Sequence, residues 1–96
     1  MYVLIAEIDI HIPAAGSLKE KRSVVTSIVR TLDQMHGVAA SEVGHHELWQ
    51  RTRIGVAVVG GEVAHVQSVM DNVERSVWSR PAIDVLDFRR SWWEEN

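Results

Sequence analysis

The segment Arg51–Trp78, RTRIGVAVVGGEVAHVQSVMDNVERSVW, changes its hydrophobic period halfway along, and that change decides the fold. In its first part Ile54, Val56 and Val58 alternate with Gly55, Ala57 and Val59. A period of two puts one side of an extended chain on a core, and here it keeps the other side small. Gly60-Gly61 ends that strand. Val63, Val66, Met70, Val73 and Val77 then recur at steps of three and four, the stripe of an amphipathic helix that Pro81 bars from continuing. Fully burying each such side chain is worth ~1.5–3 kcal/mol, more than the helix propensity its valines give up.

Upstream, Tyr2, Leu4, Ala6, Ile8, Ile10 and Ile12 share one parity, with Glu7, Asp9 and His11 on the other, as in a half-buried strand. Pro13-Ala14-Ala15-Gly16 breaks it, and Ser17 with Glu20 forms the S-x-x-E pattern of a capping box, so a helix starts at Leu18. Val25, Ile28, Val29, Leu32 and Met35 carry that helix to about His36, and Gly37 suits the left-handed position past its end. Val38–His46 reads as a weaker strand whose Gly44 and mixed parity suggest an edge or a bulge. Gln50–Gly60 is the strand quoted above, and Ile83–Trp92 is the last. The order β-α-β-β-α-β predicts an α+β, ferredoxin-like two-layer sandwich: a four-stranded antiparallel sheet covered on one face by two helices, with the first and third strands central.

The 96 residues leave room for one core, show no repeat or linker, and are expected to form a single domain over residues 1–96. The net charge of −3 supplies no global basic field, so any RNA contact must be local and no DNA contact is expected. With no cysteine, disulfides, thiolate zinc sites and iron–sulfur ligation are excluded, and no cofactor site is expected. The N-terminal segment reads as a strand rather than a leader, and no apolar run approaches the ~20 residues of a membrane span, so a cytoplasmic location is expected.

The runs Ser17-Leu18-Lys19-Glu20-Lys21-Arg22-Ser23-Val24-Val25, Glu42-Val43-Gly44 and Leu48-Trp49-Gln50-Arg51 resemble the YlxP-like proteins, a small bacterial family of unknown function, and the resemblance covers nearly the whole chain. It implies a ferredoxin-like fold. It also implies an RNA or ribosome context, because genes of that family often lie beside translation-initiation and ribosome-maturation factors. It brings no agreed catalytic residues. The hairpin here reads His45-His46-Glu47, where the family usually carries less histidine and often an aspartate.

Four groups of residues bear on function. Lys19, Lys21 and Arg22, with Arg30 further along, place cations on one helix as an RNA- or anion-binding surface would, although solvated side chains balanced by Glu20 are the plainer reading. His11, Glu42, His45, His46 and Glu47 include metal-ligating types. Adjacent strand residues face opposite ways, however, and the third strand would separate His11 from the pair by ~9–10 Å, so no metal site is expected. Glu7 and Asp9 should lie near Arg51 and Arg53 on the uncovered sheet face, where cross-strand ion pairs are expected and the central strands carry no stacking aromatics. Among four tryptophans, Trp49, Trp92 and Trp93 are candidates for a homodimer interface, Trp92 and Trp93 cannot both face one core, and Trp78 fits the core of the second helix.

Gly55, Gly60 and Gly61 lack the spacing and lysine of a phosphate loop. Ser17, Ser23, Ser41 and Ser68 lie in no nucleophile elbow, and no enzymatic activity is expected. The leading expectation is therefore a non-enzymatic binding or assembly module, RNA- or ribosome-associated through Lys19, Lys21 and Arg22. A dimeric small-ligand-sensing domain is the alternative, and a metal-dependent enzyme the third.

Overall fold

Six elements follow in the expected order in a computed structural model that describes residues 1–94: β1 (Tyr2–His11), α1 (Leu18–Asp33), β2 (Val38–Gly44), β3 (Arg51–Gly60), α2 (Val63–Trp78) and β4 (Asp84–Trp92). The strands form one antiparallel sheet in the order β2-β3-β1-β4, so β1 and β3 are central. The chain is a ferredoxin-like α+β sandwich.

Parity alone sorts the two sheet faces. Leu4, Ala6, Ile8 and Ile10 of β1 and Ile54, Val56 and Val58 of β3 are buried beneath the helices. They meet Val25, Ile28 and Leu32 of α1 and Val66, Met70, Val73 and Val77 of α2 in one continuous core. Among the described residues no helix covers the opposite face. There Ile5 pairs with Ala57, Glu7 with Gly55, Asp9 with Arg53 and His11 with Arg51.

Element ends differ from expectation where the backbone turns left-handed. Helix α1 stops at Asp33 because Gln34 caps it and Gly37, at φ 79°, swings the chain into β2. A Cβ there would stand 2.8 Å from the Val59 carbonyl oxygen, so only glycine fits. Strand β2 stops at Gly44, since His45 takes φ 59°. Trp78 is a correction: it is 59% exposed, not core, because it follows Val77 by one residue and helical rotation carries it off the buried stripe.

Candidate functional site

The SLKEKR run divides by helical phase. Lys21 lies four, seven and eleven residues before Val25, Ile28 and Leu32, on the buried side of α1, and is 1% exposed. Its ammonium sits 2.9 Å from Glu42 Oε2 and donates to the carbonyl oxygens of His45 at 2.6 Å and His46 at 3.2 Å. Thr52 donates to the same Glu42 oxygen at 2.6 Å. Burial opposes the charged form of Glu42, but the hydrogen bonds from Thr52 and Lys21 and the charges of Lys21 and His46 outweigh it and hold the carboxyl below its ordinary value. Lys21 therefore pins the β2–β3 hairpin to α1. Two of the three sequence runs that carry the family resemblance, SLKEKR and EVG, meet in this one ion pair.

Lys19 and Arg22 are exposed and stay on the outer side of α1, in line with Arg30. These three cations, with Ser23, Thr26, Ser27, Thr31 and Gln34, line a shallow depression of about 550 Å³. None of the described residues lining it carries a carboxylate. Lys19 to Arg30 spans eleven residues, roughly 16 Å along the axis. Arg80, in the turn after α2, crosses to this side of α1 and donates to Ser27 Oγ at 3.0 Å, the Ser27 carbonyl at 3.1 Å and Thr31 Oγ1 at 2.7 Å. Nothing in the sequence signals that bridge, since its partners are 49 and 53 residues away. Grouping Lys19, Lys21 and Arg22 as one surface is thus corrected: Lys21 leaves it, and Arg30 stands with the other two.

The histidines disperse. His11 Nδ1 is 3.3 Å from Asp84, while His45 Nε2 lies 4.0 Å from Asp9 on the open face and His46 Nε2 lies 4.0 Å from Glu42 on the helix side. Among the described residues no three side chains converge to hold a metal ion. Arg53 donates to Asp9 at 2.8 Å, and its hydrogen bond and charge, helped by His45 and Arg51, keep Asp9 below its ordinary value against the cost of burial. Arg89 joins Glu7 to Asp87 in the neighbouring columns. The ion pairing expected of this face forms between Asp9 and Arg53, whereas Glu7 pairs with Arg89 instead and Arg51 makes no ion pair among the described residues.

The tryptophans do not form one patch. Trp49, 53% exposed, stands at the β3 end beside Arg51, whereas Trp92 and Trp93 lie at the far end of β1, roughly 30 Å away along the strand. Trp92 is on the helix side, edge-on to Tyr2 with ring centroids 6.3 Å apart. Trp93 donates its backbone N–H to Val3 and falls on the open face. Tyr2, Val63, Trp92 and Trp93 bound a cleft of about 390 Å³ at that corner.

Fold and site together define a small α+β sandwich whose sequence motifs build an internal ion pair and whose outer helix face is basic. The family model described as "Protein of unknown function (DUF503)" matches residues 3–90, and the chain belongs to that family. It is 34% identical over 87 residues to the uncharacterized protein YlxP of Bacillus subtilis (strain 168), a match covering 91% of this chain and 95% of that protein. Neither the family nor that relative carries an assigned activity. No helix among the described residues is long and apolar enough to cross a membrane.

Proposed function

We propose that the protein is a non-enzymatic binding module that holds the phosphate backbone of RNA against the outer face of α1. The observation that carries this reading is the depression lined by Lys19, Arg22 and Arg30 with four hydroxyl side chains and, among the described residues, no carboxylate. In a chain of net charge −3, a depression lined among the described residues by three cations and otherwise by uncharged polar side chains concentrates positive potential locally. Cations spread over roughly 16 Å of helix span two to three phosphates of a nucleic-acid strand. Hydroxyls of Ser23 and Thr26 between them offer partners to phosphate oxygens and ribose 2′-OH groups. Among the described residues no aromatic side chain lines the depression, so contact is to the backbone and tolerant of sequence. The genomic neighbourhood implied by the family resemblance, beside translation and ribosome-maturation genes, agrees with this ligand class.

Fluorescence anisotropy with labelled RNA tests the reading. Replacing Lys19, Arg22 and Arg30 together by alanine is expected to weaken binding by at least about tenfold at low salt, with the circular dichroism spectrum unchanged. Unchanged affinity would remove α1 as the binding face. A Lys21→Met variant, assayed while still folded, is expected to keep its RNA affinity because that ammonium is turned inward.

A further inference from the structure

The open face of the sheet has two halves. Toward the start of β1 it is apolar: Val3 and Ile5 of β1 lie beside Val59 and Ala57 of β3, with Ala39 of β2 and Trp93 at the flanks. Val59 is 46% and Trp93 50% exposed, and Val43, 50% exposed, folds over Gly55, where a Cβ would meet it at 2.8 Å. Toward the other end the face is charged and split by column. Arg51 and Arg53 stand on β3, while Glu7, Asp9 and His11 stand on β1 and Asp84, Asp87 and Arg89 on β4, so that the acidic groups fall on β1 and β4.

We propose that this face is an isologous dimer interface on which a second copy of the chain packs, with the twofold axis parallel to the strands. A face-to-face pair has two extreme choices of axis. An axis across the strands would lay the apolar half of one copy on the charged half of the other, stranding charges on valines. An axis along the strands keeps each row opposite its own row and exchanges columns, β3 with β1 and β2 with β4. Apolar then covers apolar, Arg53 faces Asp9 of the second copy, and Ile5 faces its Ala57. Arg89, the cation on the acidic side, comes opposite Ser41 and meets no like charge.

Size and edges agree with this occupant. Four strands of seven to ten residues give a footprint of roughly 600 Å² before side-chain relief is counted, near the ~800 Å² per partner of a standard interface. Pairing through the β2 edge is obstructed instead: the outward N–H of Ala40 is taken by Asp33 Oδ1 at 2.8 Å and that of Val38 by the Met35 carbonyl at 3.2 Å. The helices stay outside such a dimer, so the α1 face remains open and the two proposals stand or fall separately.

Sedimentation of the full chain is expected to give twice the 10.8 kDa chain mass, with Val59→Lys raising the dimer dissociation constant by about a hundredfold or more. Geometry is read separately, since the chain has no cysteine. Ala39→Cys and Ser91→Cys variants share a row on exchanged columns, so a short bis-maleimide is expected to join them into a dimer when mixed far more than in either variant alone. A wild-type monomer at high micromolar concentration, a Val59→Lys protein that dimerises as before, or equal cross-linking with and without mixing would each overturn the proposal. Should Val59→Lys fail to fold, the cysteine pair decides.

Discussion

A lysine ammonium enclosed between a helix and a hairpin must be neutralised on every side, and Lys21 is: one carboxylate and two carbonyls surround it. Removing it leaves Glu42 and two carbonyls facing an apolar stem, so Lys21→Met is expected to lower unfolding free energy by about 3–5 kcal/mol, measured by urea titration. Lys21→Met with Glu42→Gln is expected to cost less than the two single changes added together, because the uncompensated charge is gone. The same pair, with Asp9–Arg53, sets the acid limb of stability. Both carboxyls are held below their ordinary values in the folded chain. Their contribution is therefore fully present above the unfolded carboxylate values, 3.8 for Asp9 and 4.5 for Glu42, and is lost as pH falls through the lower folded ones. Melting temperature measured across the acid range is expected to fall in that window, and less steeply in an Asp9→Asn variant. At this scale the sequence was readable in part: SLKEKR looks like a solvated charge run, but the spacing of Lys21 to Val25, Ile28 and Leu32 already places it on the core side.

The two helices begin differently. Ser17 Oγ accepts from the Glu20 N–H at 3.1 Å and Glu20 accepts from the Gly16 N–H at 2.6 Å, so the predicted S-x-x-E box forms, its return bond reaching one residue further back. Glu62 caps α2 without any side-chain bond. Ser17→Ala is expected to destabilise by about 1 kcal/mol, whereas Glu62→Asp, which shortens the side chain enough to cap and keeps the charge, is expected to stabilise by about 0.5–1 kcal/mol; thermal melts of the two variants check both. Element type and order were legible because the period switches cleanly from two to 3.6. Ends were less so, since they depend on single left-handed residues: Gly37 is a recognisable one, but His45 is held left-handed in a turn whose carbonyls receive Lys21 from another element. Trp78 was misplaced for a related reason, as a large apolar residue one step past the stripe reads as core until the rotation of 100° per residue is applied.

At the scale of the molecule, one face of the sheet makes the core, the other presents a surface of apolar and charged halves, and α1 turns Lys19, Arg22 and Arg30 outward while Lys21 points in. The sandwich could be read from sequence because strand parity and helical stripes are local. The site could not be read whole, because it depends on which side of α1 each cation takes and on Arg80 arriving from the far end of α2. Net charge conceals the basic face: the carboxylates of Asp71 and Glu74 are engaged with Arg90 on α2 and β4, away from α1. The proposed role rests on phosphate contacts, and such contacts release counterions in proportion to their number. The most direct measurement is the RNA association constant as a function of salt for the wild type and for the Lys19→Ala, Arg22→Ala, Arg30→Ala triple variant. With two to three phosphates engaged, log K against log salt should have a slope of roughly −1.5 to −2 for single-stranded RNA and approach zero in the variant. Equal slopes in the two proteins, or a wild-type affinity that salt leaves unchanged, would contradict it.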